Sequence, residues 1–361
     1  ALAAVPGVYI PEWYRPRLDR SGRFAGIDWC GPGTQPQLFR RVAMNLDTWP
    51  AGTVIHTPHA ELPGLHLIEI SRGCPRECRF CLIPGCYSPF RYRSVPAIMD
   101  SARSAPPDRR IGLLGAGAAD HPFLLDICRA LAADGFRFSF SSLHATRITP
   151  ELTSLIHTHG PRTVTLAPEA ATDQRRRTLG KTLTNTDLIA AVQAVGRPPV
   201  KTIKVYFIAG LPGETAGDLH RIADLCRDLE DALREANVDS KAIPRITAGI
   251  SCFVPKPLSR FERAPMLPEK DLKEKLALIA DDLRDIREIR WTMDHPRWAV
   301  MQGLIARGDR RLGAVLAEAG KPGADWLLLM KQYRNQQAEY MTHPIRLRYP
   351  LPWDHLKIAV M

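Results

Sequence analysis

Cys74, Cys78 and Cys81 stand within eight residues, in the stretch Ser71-Arg-Gly-Cys74-Pro-Arg-Glu-Cys78-Arg-Phe-Cys81. Thiolates at that spacing can converge on one soft-metal centre. A structural zinc takes four closed ligands, commonly from paired Cys-x-x-Cys arms. This stretch has one such arm, a third Cys four residues before it, and no second arm. Three ligands suit instead a four-iron cluster with one iron left open. Cys86 complicates the count, because as a fourth ligand across Leu82–Gly85 it would leave a closed electron-transfer centre. The three-Cys spacing already accounts for itself, so Cys86 reads as a nearby non-ligand thiol. A catalytic part for Cys86, as hydrogen-atom donor or attachment point, is the minor alternative.

An open iron can chelate the amino and carboxylate groups of S-adenosylmethionine. One electron into the sulfonium then releases a 5′-deoxyadenosyl radical, chemistry that belongs to the cofactor while the protein positions it. The cysteines directly follow a strand candidate, Leu67–Ile70, so they occupy a βα loop, and in parallel α/β folds sites form at the carboxyl ends of strands. Further strand candidates are Ile111–Leu114, Phe136–Phe140, Thr163–Leu166, Ile203–Ile208 and Ala248–Val254. Helical patterns fall near 95–104, 121–134, 150–158, 172–178, 184–195 and 215–236, the last with clear i, i+3, i+4 apolar spacing. Strands alternating with helices imply parallel βαβ units joined by right-handed crossovers. Six such units make an open doubly wound sheet or a partial barrel, and the pattern alone does not choose.

Residues 1–64, rich in Pro, Gly and aromatics, read as an irregular N-terminal segment, and 65–267 as the α/β unit. Beyond 268 the texture becomes helical, at 268–288, 297–319 and 323–341, with a short strand candidate at Ile289–Met293 and an irregular close at 346–360. This reads as a helical C-terminal extension. The 361 residues are 45% hydrophobic and 24% charged, a globular composition that buries a proper core. There is no run of about 18 uncharged apolar residues, and the opening ALAAVPGVYIPEWY lacks a secretory pattern, so a cytoplasmic, membrane-free protein is expected. The missing initiator Met suggests a trimmed chain or a fragment. A net charge of +11 favours an anionic partner, yet the basic residues are dispersed and no nucleic-acid motif is present. Cys128 and Cys226 read as core thiols.

The sequence resembles the radical S-adenosylmethionine superfamily over roughly 60–260, through EISRGCPRECRFC, SSLHATRI, TLAPEAATDQRRRTLGK and KVYFIAGLPGET. It looks most like the branch often fused to an N-terminal cobalamin-binding domain, which this chain does not include. The resemblance implies a partial (βα)6 TIM-like barrel of parallel strands, with Cys74, Cys78 and Cys81 on a [4Fe-4S] cluster and Phe80 beside it. It also implies that Gly115 and Gly117 meet the amino group of S-adenosylmethionine, although the superfamily's Glu in that turn is replaced, Ala118 and Ala119 standing nearby. Ser141, Ser142 and Arg147 are implied to hold the ribose or the methionine carboxylate, and Glu169 a ribose hydroxyl. One of Arg175 to Arg177 or Lys181 is implied to pair with that carboxylate, the rest being surface. Ile208 and Gly210 belong to the motif that packs the adenine. Glu214 reads as a helix N-terminal charge, and Pro255 and Pro257 as a rim over adenine and substrate. His295, His343 and His355 are acid/base candidates, although a lone His is more often a satisfied hydrogen-bonding residue, and Trp298, Trp326 and Trp353 read as core.

The expected partners are an unidentified substrate, anionic if the charge is informative, and a reducing donor such as flavodoxin or ferredoxin. Two rivals stay open. One is a cobalamin-dependent radical methyltransferase, although these residues give no support for bound cobalamin. The other is a non-catalytic iron–sulfur or zinc protein that binds nucleic acid.

Overall fold

The computed structural model describes residues 2, 5–34, 38–240 and 242–357, with side chains for all of these except 334–340 and 357; the end of the closing segment lies outside the described residues. Seven parallel strands form its centre, in sequence order. Leu65–Glu69, Arg110–Leu114 and Phe138–Phe140 make one ladder, and Thr163–Glu169, Thr202–Ala209, Arg245–Cys252 and Arg290–Met293 the other. A parallel bridge between Leu143 and Leu166 joins the two ladders. All six expected barrel strands form, so the choice that pattern left open is resolved as a partial barrel. The seventh strand lies beyond 268, where the sequence suggested a helical extension, and makes helix Glu269–Arg284 a further crossover.

Local chemistry explains the elements. Along Thr202–Ala209, Ile203, Val205, Phe207 and Ala209 are fully buried and join helix residues such as Leu219 and Leu229 in the main core. The alternate residues Tyr206 and Ile208 therefore face the barrel's other side. Four crossover helices begin at a threonine whose hydroxyl accepts an otherwise unpaired N–H: Thr149, Thr172, Thr184 and Thr215. Thr184 and Thr215 complete capping boxes with Asp187 and Asp218. Cys128 and Cys226 are core thiols, as expected. The helical pattern at 297–319 is two helices, Pro296–Arg307 and Arg311–Ala319, broken at Gly308.

The N-terminal segment has more order than its composition implied. Tyr14–Leu18 and Phe24–Trp29 form an antiparallel hairpin, and Leu38–Phe39 pairs in parallel with Leu356–Lys357, so the N-terminal and closing segments meet. Residues 51–53 cover the open edge of the first barrel strand, through Glu69 N–H to Ala51 O at 3.0 Å and Thr53 N–H to Leu67 O at 2.9 Å. Among the described residues no helix is long and apolar enough to cross a membrane.

Candidate active site

The cysteines sit on a loop that the backbone holds firmly. Ser71–Arg72 and Arg91–Tyr92 pair antiparallel and close the loop at its base. Gly73 turns in the left-handed region at φ 86°, where a Cβ would lie 2.6 Å from Tyr87 O, so only glycine fits. Arg91 donates to Pro89 O (3.0 Å), Ala43 O (2.9 Å) and Tyr87 O (3.3 Å). Arg93 donates to Glu69 O and Trp49 O, both at 2.7 Å, and also to Leu46 O. On the far side, Arg79 N–H donates to Leu179 O at 2.9 Å, and Phe261 N–H to Arg79 O at 3.0 Å. Phe80 packs among Leu179, Leu211 and Phe253, in a small apolar cluster beneath the loop.

The Cys74 and Cys78 thiols are both shifted by burial and by their neighbours. Burial pushes the Cys78 thiol up to about 11, with Cys81, Glu169 and Cys74 adding and the Lys181 ammonium opposing. Burial also raises Cys74, with Asp120 and Cys81 adding, while the Arg76 backbone N–H bonded to its sulfur works against this. Cys86, on the short helix Ile83–Tyr87, is raised by burial too, with Arg40 opposing and Cys81 adding. Among the described residues no three His, Cys, Asp or Glu side chains converge closely enough to hold a single metal ion. Tetrahedral zinc needs sulfurs about 3.8 Å apart, whereas a four-iron cube is a larger body that spaced thiolates grip at its corners. Three soft thiols, two of them raised by burial, with an N–H to sulfur bond at Cys74 and an ammonium near Cys78, fit such a cluster.

Beside the loop, at the carboxyl ends of the strands, lies a cavity of about 610 Å³. Cys81, Phe80, Ser141, Ser142, Glu169 and Ile208, six of the residues singled out from sequence, line it together. Glu169 is held at φ 66°, a conformation that costs a non-glycine residue on the order of 1–3 kcal/mol. Lys181 stands 3.1 Å from its carboxylate and also donates to Ala167 O. Burial raises the Glu169 carboxyl, and Lys181 opposes that rise.

Four other candidates lie outside that lining. A Cβ on Gly115 would come 2.3 Å from Ser71 Oγ, and one on Gly117 would come 3.2 Å from Cys74 Cα, so both let the second βα turn press against the cysteine loop. Arg147 Nε donates to Asp120 at 3.2 Å, and Asp120 also takes both prongs of Arg76 at 2.7 and 2.8 Å, tying the cysteine loop to that turn. Gly210, at φ 86°, donates its N–H to Glu214 at 2.7 Å.

Several side chains differ from expectation. Glu214 does stand at a helix N-terminus, just before the cap Thr215, but its side chain is buried and faces Lys275 at 3.3 Å. Arg176 is wholly buried, not surface: it donates to Leu183 O and Ala170 O at 2.7 Å, to Asp173 at 2.5 Å and to Asn185. Arg175 donates to Pro212 O at 2.6 Å. His295 caps a helix, and His343 and His355 lie elsewhere. Trp298 and Trp326 stack at 5.0 Å with Trp298 exposed; Trp353 is core.

The cavity also takes in residues that sequence reasoning passed over: Tyr206, Cys252, Lys256, Asp294 and Gln302. Asp294 follows the seventh strand, and its N–H donates to Ile250 O at 2.9 Å. Reading Ile289–Met293 as one more barrel strand would have placed it at a carboxyl end, where sites form.

Residues 68–226 match the model of the Radical SAM superfamily. An uncharacterized protein of Methanocaldococcus jannaschii is 28% identical over 261 residues, 71% of this chain and 55% of its own length. A tRNA-2-methylthio-N(6)-dimethylallyladenosine synthase of Sorangium cellulosum is 28% identical over 193 residues, 45% of this chain and 38% of its own. The chain thus spans about half or less of the length of these relatives. Among solved structures, the radical S-adenosylmethionine methyltransferase TsrM from Kitasatospora setae, with cobalamin and a [4Fe-4S] cluster bound, is 16% identical. It aligns with a TM-score of 0.45 over 77% of this chain and 64% of that one.

Proposed function

We propose that this chain, which carries a radical S-adenosylmethionine domain and is an enzyme of that superfamily, cleaves S-adenosylmethionine reductively and turns the resulting radical on a substrate in the 610 Å³ cavity. The observation that carries this reading is the placement of the three thiols on one pinned loop, with Cys81 and Phe80 opening into the same cavity as Ser141, Ser142, Glu169 and Ile208. Cys74, Cys78 and Cys81 would hold a [4Fe-4S] cluster, which, when bound, would pass an electron from an external reductant to the sulfonium.

The chain's own residues do the holding. Glu169, fixed in its strained turn by Lys181, offers carboxylate oxygens suited to a ribose diol. Ser141 and Ser142 add hydroxyls from the third strand's loop, and Ile208 and Phe253 give apolar wall for a purine. The Asp120 clamp on Arg76 and Arg147 keeps the cysteine loop and the second βα turn in register. Phe80, Ile208 and Phe253 give the cavity apolar walls that limit water there.

The test is anaerobic reconstitution followed by dithionite reduction with S-adenosylmethionine. The expected product is 5′-deoxyadenosine, absent from Cys78→Ala. A reconstituted, iron-loaded protein that forms none would refute the proposal.

A further inference from the structure

The strands Thr163–Glu169, Thr202–Ala209, Arg245–Cys252 and Arg290–Met293 turn one face to the crossover helices and the other to the inside of the barrel. The helix face is apolar, with Val164, Val205, Ile246 and Ala248 all buried. Alternation puts their neighbours on the inner face, and the register sorts those neighbours into rows. The lowest row is Thr163, Thr202 and Arg245; the next is Thr165, Lys204, Thr247 and Arg290. Closed eight-stranded barrels fill such rows with bulky branched side chains. Here two successive rows hold hydroxyls and cations instead, and Lys204, Arg245 and Arg290 are exposed.

From the spacing of parallel strands, the Cα atoms of Lys204 and Arg290 lie about 10 Å apart with Thr247 between them, and Arg245 stands about 8 Å from each. No ion pair or side-chain hydrogen bond engages any of the three among the described residues. The acids of these strands stand at the opposite end. Glu169 is already held by Lys181, and Asp294 follows the last strand, about 13 Å along it from Arg290. Three cations on one wall without an acid repel one another, and an anion there relieves the repulsion. They outnumber the single charge of a carboxylate and suit the near-double charge of a phosphate, whose oxygens the threonine hydroxyls between them can also reach.

This floor is continuous with the site. Thr165 of the second row and Tyr206 of the row above both line the 610 Å³ cavity. The Tyr206 ring lies over Gly249, where a Cβ would come within 2.5 Å of it. Lys204 is four residues below Ile208, so a molecule reaching from the rim to the floor spans about 13 Å. The cavity has the volume of a small-molecule site, not of a polymer track.

We propose that the substrate is a small phosphorylated molecule whose phosphate is held on the barrel floor by Lys204, Arg245 and Arg290. This substrate role rests on the reductive cleavage of S-adenosylmethionine, so binding and cleavage are read separately. The reconstituted protein is titrated calorimetrically with inorganic pyrophosphate, and 5′-deoxyadenosine formed from S-adenosylmethionine and dithionite is measured without pyrophosphate. The parent is compared with Lys204→Gln/Arg290→Gln and with the charge-matched Arg15→Gln/Arg20→Gln, exposed on the N-terminal hairpin, and thermal unfolding checks that each folds. Parent and hairpin variant should bind alike, more weakly as salt rises, and the floor variant about tenfold or more weaker with cleavage unchanged. If the floor variant does not fold, Arg245→Gln alone should weaken binding about threefold or more. No binding by the parent, an unchanged affinity in the folded floor variant, or an equal loss in the hairpin variant overturns the phosphate site and leaves the cleavage standing. Pyrophosphate binding by a parent that forms no 5′-deoxyadenosine overturns the cleavage, and the substrate role with it. Tighter binding of a short oligouridylate than of pyrophosphate also overturns the proposal, assigning the floor to nucleic acid.

Discussion

Lys275→Met removes the cation that faces Glu214 and leaves the carboxylate with the Gly210 N–H and the more distant Arg175 charge. The Glu214 side chain is 4% exposed, and burial already raises its carboxyl, with Gly210 N–H and Lys275 opposing. Losing one member of a buried pair costs roughly 3–5 kcal/mol when the other stays charged. Glu214 has an escape, since it can take a proton. From an unfolded value near 4.3, protonation costs about 1 kcal/mol at pH 5 and about 3.7 kcal/mol at pH 7, which caps the penalty. The sign follows from linkage: the variant's folded Glu214 binds its proton more tightly than the unfolded chain does. The penalty is therefore absent below the unfolded value and grows as pH rises towards the folded one. Urea unfolding of parent and variant at pH 5 and pH 7.5 should show a loss near 1 kcal/mol at the first and near 3 kcal/mol at the second. The double variant Lys275→Met/Glu214→Gln should recover most of the loss at pH 7.5. Equal losses at both pH values, or no rescue by Gln, would refute the reasoning.

Other expectations follow from single contacts. Cys86→Ala should leave about four irons per chain after anaerobic reconstitution, because the trio alone grips the cluster. Gly115→Ala drives a methyl to 2.3 Å from Ser71 Oγ, so it should cost about 1–3 kcal/mol and lower iron retention, read by unfolding and iron analysis. Arg176→Met leaves Leu183 O and Ala170 O without their donor and should destabilise by about 3 kcal/mol or more in urea, without removing any group from the cavity.

The central barrel was readable because its strands alternate buried and facing residues and its helices start at capping threonines. Ile203–Ile208 and the run after Thr215 are the clearest cases. The seventh strand was harder: Arg290, Trp291 and Thr292 are all exposed at the end of an open sheet, so no apolar alternation marks it. Pro16 and Gly26 broke the strand signal of the N-terminal hairpin, whose fixed points, Tyr14 and Phe24, are isolated in sequence. In the site, the thiols and Glu169 were legible from motif and chain position. Contacts such as Gly115 on Ser71, Arg147 on Asp120 and Glu214 on Lys275 were not, since each joins residues from different βα units or strands and depends on the folded distance. Asp294 and Gln302 were missed for the same reason, coming from beyond 268.

The count of protein ligands on the cluster bears most directly on the whole account. Electron paramagnetic resonance of the reduced, air-free protein, before and after adding S-adenosylmethionine, reads it together with iron analysis of each Cys→Ala variant. Three cysteines required, about four irons bound, and a spectrum that shifts when S-adenosylmethionine occupies the open iron are the predicted results. A fourth protein donor that persists after the addition, or a colourless protein with one zinc, would contradict it.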